Sequence, residues 1–537
     1  MSARAIGPGP LAAALGSATP PVLLDIRDPV EAERAHIPGA TNLPRRRIEF
    51  RIGELVRDAA TPIVVCGGDD ARAELAAATL RSLGYADVSF LDGGIAAWRA
   101  AGERTARGNN VPSKTFGEHV LHEQQVPSID ADTLLQWQRE GRRIAILDVR
   151  TPGEHQQACI PGAVSAPSFD IALQAADLTA EADTLVLHCA GRTRSIIGTR
   201  TLLEMGVPRV VALENGTMGW LLAGNSVERG STRHLAQPTP ASVDQAERTA
   251  LRIASAAGVR RIDADALSAL LAEPRRNLSV FDVRSLDEHD AGHIAGSTAV
   301  PGGQVVQRTD DFIAVRGASI VLVDEQEARA HLTGTWLRRM GFPDVSVLGG
   351  GVQAWRAAGR VLVIGRARSR PLCWAEACAA ATALAVDGVA AWRESHQDAP
   401  VLHVDTSASY RQGHLRGAQW VPRGWLEQHI ETVAPARDRP LLISCADGAQ
   451  SVYAAATLRG LGYGGVRRVD GGTRALAAAG HALDAAADMP PQDDDSLPPY
   501  QRGEQAMRDY IDWETLLVPA HSNGAPTDPS IDTPRLA

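Results

Sequence analysis

Aromatic residues make up only 4% of this 537-residue chain, and there is a single lysine, Lys114. The cores must therefore be built mainly from aliphatic side chains and alanine. Nearly every cation is an arginine, which reads as a compositional habit and not as chemistry. Cysteine is scarce: Cys66, Cys159, Cys189, Cys373, Cys378 and Cys445, none of them in a CxxC pair. That excludes a disulfide framework, a zinc ribbon and a thioredoxin-like motif, and points to no metal. No apolar run approaches the roughly 18–20 residues of a membrane helix. The apolar stretch in MSARAIGPGPLAAALG is too short and too interrupted for a signal peptide. A cytoplasmic protein with reduced thiols, and no membrane partner, is expected. A basic excess is also missing, with 54 basic residues against 63 acidic ones. That argues against a nucleic-acid partner.

What is present is an ordinary globular composition, 44% apolar and 22% charged. At roughly 100–200 residues per domain, three to five domains are expected. The chain is four copies of one unit. VLLDIRDPVEAERAHIPGA (22–40) returns as AILDVRTPGEHQQACIPGA, as SVFDVRSLDEHDAGHIAGS and, degraded, as APVLHVDTSASYRQGHLRGA. Each copy is followed by a strand-like run (TPIVVC, TLVLHC, SIVLVD, PLLISC). A helical pattern ending at Gly comes next, and then a Gly-rich turn such as LDGGIAAW. A step of 123 residues separates Asp25 from Asp148 and also Cys66 from Cys189.

The apolar runs are four to six residues long and β-branched, as in strands buried on both faces. They alternate with helical patterns that stop at glycine. The expected fold class is α/β: four tandem domains, each a small parallel sheet with helices on both faces. The expected domains are 1–104, 128–226, 259–362 and 384–484. Polar joints would lie at 103–127, 225–258 and 360–383. Residues 485–537 would give a C-terminal helix over 500–517, packed on a domain, and a disordered tail.

Cys189 ends the run TLVLH and is followed by AGRTRS and then a helical pattern. A strand end, a short loop and a helix start aim backbone N–H groups into one concavity, and the helix dipole favours an anion there. A thiol so placed ionises more easily, and Arg192 and Arg194 add cations. Position alone makes Cys189 a nucleophile in an anion-attracting cradle, ionised and open to solvent. The set DxRxPxE…IPGA, a strand leading into C-x-x-x-x-R-S, and a Gly-rich turn ending in Trp resembles the rhodanese family. The resemblance covers about 400 of the residues in four copies. It implies a five-stranded parallel sheet and transfer of sulfane sulfur, from thiosulfate or a similar anionic donor, through a cysteine persulfide. The acceptor would be a thiophile such as cyanide, a thiol or a protein. By position Cys189 and Arg194 match the catalytic residues, and Ala190, Gly191, Arg192, Thr193 and Ser195 match the loop that holds the sulfur. No cofactor is implied. The alternative is a scaffold or sulfur-sensing binding protein without catalysis.

The other loops differ. Cys66-Gly-Gly-Asp-Asp-Ala-Arg72 reads as a seven-residue C-x5-R loop, resembling the phosphatase branch of the family. Asp69 and Asp70 oppose an anion there, so an idle site is the leading reading for Cys66 and a phosphatase the minor one. Asp324 replaces the cysteine in the third copy, beside Glu325 and Glu327, and makes it inactive. Cys445 survives in the fourth copy with Gln450 in place of the arginine and with Asp447. That leaves it either a secondary site or an inert thiol. Arg27/Glu31, Arg150/Glu154 and Arg284/Glu288 read as structural pairs, replaced together by Asp405 and Ser409. Asp25, Asp148 and Asp282 read as turn-fixing, and His36, His293 and His414 as structural. His188 should face away from Cys189. Cys159 is either a resolving thiol for Cys189 or simply buried. Cys373 and Cys378 read as packing, and Trp98, Trp220 and Trp355 as core anchors.

Overall fold

In the computed structural model, residues 4–167, 169–366, 371–380 and 382–518 are described. They contain four five-stranded sheets, one per repeat, with helices on both faces, as expected. Every paired strand is parallel. Numbered along each repeat, the strands lie in the order 1-5-4-2-3 in all four sheets. The chain folds as two units, residues 1–109 with 369–496, and residues 110–368 with 497–537.

In the second unit, the strands Ile144–Asp148 and Thr184–His188 form the centre of the second sheet. Alternation along the second strand sends Leu185, Leu187 and Cys189 into a core with Ile171 and Leu202. Val186 goes to the opposite face with Cys159, Leu213 and Trp220. The joint at 103–127 is not the polar linker its composition suggests. It contains the helix Val111–Glu123, which buries Lys114, Phe116, Glu118 and Val120. The helix Pro240–Ala256 follows Thr239, whose Oγ1 accepts from Ser242 N at 3.3 Å and so caps it. Its Ala246, Ala250 and Ile253 pack with Phe116, Ile197, Leu332 and Trp336 in one core shared by the second and third repeats. Trp336 Nε1 donates to Thr201 Oγ1 at 2.9 Å, so the indole is buried without losing its hydrogen bond. The C-terminal helix spans Glu504–Thr515. The expected tail, 519–537, lies outside the described residues.

In the first unit, the first and fourth repeats share two ion pairs, the first buried and the second partly buried. Arg423 holds Glu49 (Nη1 to Oε1, 2.9 Å) and Arg45 holds Glu427 (Nη1 to Oε2, 2.6 Å). The indoles of Trp98, Trp220 and Trp355 donate to the carbonyls of Arg104, Ser226 and Val361, and all three are buried as anchors. Cys378 packs beside Ala377 and Tyr453. Cys373, expected to pack, is exposed.

Candidate active site

The register of the central strands sets a common frame for the four loops. Asp25 pairs with Cys66, Asp148 with His188, Asp282 with Val323 and His403 with Ser444. The first loop residue is the next one in each case: Gly67, Cys189, Asp324 and Cys445. The carbonyls of these four accept from Ile95, Thr217, Val352 and Thr473.

This frame corrects the reading of Cys66. It is the last strand residue, equivalent to His188, and its side chain packs with Leu11, Leu23, Val64 and Trp98 on the opposite face from the loop. Burial pushes its thiol far above the ordinary value, and the Asp25 charge adds to this. The loop is Gly67–Arg72, no longer than the others, and it has no nucleophile at its first position. The phosphatase reading falls with it. Asp70 does not oppose an incoming anion either, because its carboxylate accepts from Arg72 Nε (2.9 Å) and from Arg72 N (2.8 Å).

The Cys189 loop is complete. Cys189 Sγ lies 3.6 Å from Ser195 Oγ, which itself donates to Arg192 O at 2.8 Å. Arg194 donates to both oxygens of Glu154, each at 2.8 Å. Burial would raise the Glu154 carboxyl, but the charge and hydrogen bonds of Arg194 hold it down at about 2. Arg192 is gripped by Glu118 of the joint helix, at 2.6 and 2.9 Å, and donates to Asn215 Oδ1 at 2.9 Å. The two loop cations are therefore already paired. Cys189 is only 3% exposed, which corrects the expectation of a solvent-open thiol. The helix Glu504–Thr515 covers the loop. Glu514 Oε1 accepts from Thr193 Oγ1 at 2.8 Å. A Cβ at Gly191 would stand 2.9 Å from Met218 Cε, and 3.4 Å from both Glu514 Oε2 and Tyr510 Cε1.

The Asp324 loop shows what such a cradle holds. Its carboxylate accepts from Glu325 N (2.7 Å), Arg329 N (2.9 Å), Ala330 N (3.3 Å) and Arg329 Nε (2.9 Å). An anion at the first loop position is met by backbone N–H groups and by the loop arginine. In the fourth repeat, Asp405 takes one of these donors, Ala446 N, at 3.0 Å. Burial together with the Asp405 charge pushes the Cys445 thiol up to about 11, against donation from Ser451 N at 3.3 Å.

The three arginine–glutamate pairs are not those the spacing suggested. Arg27, Arg150 and Arg284 fold back onto the strand-end Asp25, Asp148 and Asp282, two residues earlier. Glu31, Glu154 and Glu288 close capping boxes and reach across to the loop arginines Arg72, Arg194 and Arg329. The physical reason is distance in space: the helix start and the loop lie side by side at the strand ends. Ser409 and Gln450 in the fourth repeat are then one joint replacement. His188 faces Asp148 (Nε2 to Oδ2, 3.9 Å), and burial lowers it to about 4, so it stays neutral. Cys159 lies on the opposite sheet face from Cys189, in a separate core, which removes the resolving-thiol reading.

Several residues at the site were invisible to sequence reasoning. Lys114, Glu118, Tyr510 and Glu514 are far from Cys189 in the chain and carry no motif. His155, which bridges Asp148 Oδ2 (3.0 Å) and Ser231 Oγ (3.1 Å), belongs with them. The one available signal was Lys114 itself, the single lysine of the chain, inside a joint that reads as polar.

Comparison with known proteins agrees with this architecture. The family model for the rhodanese-like domain matches at residues 8–101, 130–223, 263–358 and 387–479. The crystal structure of a thiosulfate sulfurtransferase from Pseudomonas aeruginosa is 35% identical, with a TM-score of 0.86, over 95% of this chain and 96% of that one. The thiosulfate sulfurtransferase GlpE of Pseudomonas entomophila is 39% identical over 90 residues, 16% of this chain and 80% of that protein. A sulfurtransferase of Allochromatium vinosum is 29% identical over 99 residues, 18% of this chain and 92% of that protein. With four matched repeats, four sheets of one topology and a relative similar over nearly its whole length, the chain belongs to the rhodanese-like sulfurtransferase family.

Proposed function

We propose that the protein is a rhodanese-type sulfurtransferase in which Cys189 takes sulfane sulfur from thiosulfate, or a similar anionic donor, and passes it to a thiophilic acceptor. One observation carries this reading. Among the four loops, only that of the second repeat combines a thiol at the first position with an arginine at the sixth. The domains are taken as 128–226 for catalysis, with 1–104, 259–362 and 384–484 in supporting roles, and 485–537 as the C-terminal extension.

In the first half-reaction the Cys189 thiolate attacks the outer sulfur of thiosulfate. A new S–S bond forms, the donor S–S bond breaks, and sulfite leaves with the bonding pair. The outer sulfur of the resulting persulfide is anionic and lies where Asp324 places its carboxylate in the third repeat. Backbone N–H groups from Ala190 to Ser195 stabilise it there, and Arg194 contributes its positive field. In the second half-reaction a thiolate or cyanide attacks that outer sulfur, and Cys189 leaves as a thiolate. The nucleophile enters and leaves ionised, so neither a general base nor a cofactor is called for. A reducing cytoplasm suits this chemistry, and among the described residues no helix is long and apolar enough to cross a membrane.

The test is thiocyanate formation from thiosulfate and cyanide. Cys189→Ala is expected to abolish it, while Cys66→Ala and Cys445→Ala keep most of it. Turnover that survives Cys189→Ala would assign the chemistry elsewhere.

A further inference from the structure

Sulfur transfer by two half-reactions must bring two substrates to a thiol that is almost fully buried. What covers it is the helix Glu504–Thr515, an element outside the four matched domains. Of its twelve residues Met507 and Glu514 are buried and Ala506, Tyr510, Ile511, Trp513 and Thr515 are half-buried, while Leu516 just beyond it is 71% exposed. Burying the methionine stabilises the contact, whereas burying a carboxylate costs free energy unless it is well paired. A leucine or glutamine at 514 would hold the helix at lower cost. The carboxylate instead sits over the loop, accepting from Thr193 Oγ1 and facing Gly191.

Burial pushes the Glu514 carboxyl above its ordinary value; Lys114, the Thr193 hydrogen bond and Arg192 work against this, while the charge of Glu118, the partner of Arg192, adds to it. Lys114 is buried, with its Nζ 4.8 Å from the ring centres of both Tyr510 and Trp513 on the covering helix. Lys114 also acts on the half-buried Asp310 of the helix Thr309–Phe312. The single lysine of the chain is thus enclosed beside the loop that carries the nucleophile.

We propose that Lys114, Thr193 Oγ1 and the loop backbone at Gly191 form the subsite for the oxyanion group of the sulfur donor, a sulfonate or a carboxylate, and that Glu514 fills it as a built-in carboxylate until the helix lifts. The proposal rests on Cys189 being the sulfur-accepting thiol. A donor with an oxyanion competes with Glu514 for the same partners. A neutral donor gains nothing from displacing it and finds the sulfur shielded.

The experiment uses the full chain and compares alkylation of Cys189 by iodoacetate, an anion, with alkylation by neutral iodoacetamide, each mapped by mass spectrometry. Glu514→Gln is expected to raise the iodoacetate-to-iodoacetamide rate ratio about tenfold, and adding Lys114→Gln should bring it back down. Sulfur loading from thiosulfate should also quicken in Glu514→Gln. Because the ratio is internal to one protein, a general loosening that speeds both reagents equally counts against the proposal. Glu514→Ala gives the same readout without a side-chain carboxyl or amide, and its ratio should rise as well. An unchanged ratio in both variants overturns the subsite. If the wild type loads sulfur but the ratio stays flat, the subsite fails while the sulfurtransferase reading stands. If the ratio shifts but no variant accepts sulfur, an anion-binding place beside Cys189 stands, but its assignment to a sulfur donor falls with the sulfurtransferase reading.

Discussion

The loops beginning at Cys189 and Asp324 occupy the same position on two copies of one sheet, and they differ in the atom placed at the focus. In the third repeat a carboxylate is tethered there, and three backbone N–H groups and Arg329 satisfy it. In the second repeat a sulfur stands there, with a like arginine and a like glutamate behind it. The difference teaches that the fold supplies an anion cradle and that one side chain decides whether the cradle is a reaction centre or a structural knot. Arg329 binds Asp324, Glu288 and Asp170 at once, so in the third repeat the cradle has become a fastening to the second.

That comparison can be broken in graded steps. Replacing Cys189 with Ser keeps the shape and removes the nucleophile. Thiosulfate-dependent turnover should fall by at least about a thousandfold, measured as thiocyanate release. Replacing Asp324 with Ala leaves a buried guanidinium short of a partner. Urea unfolding should show a loss of about 3–5 kcal/mol, with turnover at Cys189 little changed. A gain of activity, or no loss of stability, would contradict the structural-knot reading.

The glutamates behind the loops give a pH signature. Glu154 and Glu288 are each held at about 2, below the usual carboxylate range, by Arg194 and Arg329 against burial. A depressed folded pKa means the unfolded chain binds the proton more readily. The stabilisation is therefore complete above about pH 4.5 and is lost as pH falls from there toward 2. Each contributes at most about 3 kcal/mol, less for Glu288, whose side chain is partly exposed. Glu154→Gln should flatten the acid limb of the stability curve, and an unaltered limb would show the pair to be idle.

Cys445 sharpens the contrast between thiols. With its pKa near 11, about one molecule in a thousand is ionised at pH 8, so iodoacetamide should label it slowly. The rate should climb tenfold per pH unit up to about 11. Labelling faster than that of Cys189 at pH 8 would overturn the ranking. The smallest effect belongs to Cys66→Ala, which should cost about 1–2 kcal/mol as a small core cavity and leave turnover within twofold.

The repeat, the parallel α/β architecture and the Cys189 loop were legible because they rest on local pattern: apolar runs, glycine stops and a strand leading into C-x-x-x-x-R-S. Cys66 was misread for a reason that is also physical. The second repeat is one residue shorter between its two central strands, 40 steps from Asp148 to His188 against 41 from Asp25 to Cys66. The matching 123-residue steps therefore paired a strand residue with a loop residue, and a one-residue shift turns a side chain to the other sheet face. The arginine–glutamate pairs were misassigned because i,i+4 spacing says nothing about a loop that comes alongside from 40 residues away. Glu514 reaches Thr193 across 321 residues, a contact that no local pattern announces.

The most direct measurement is the intact and peptide mass of the wild-type chain after incubation with thiosulfate and removal of excess donor. The account predicts one added sulfur, about 32 Da, released by a reducing thiol and mapped to the peptide that contains Cys189. An adduct on Cys445 or Cys66 with none on Cys189 would contradict it.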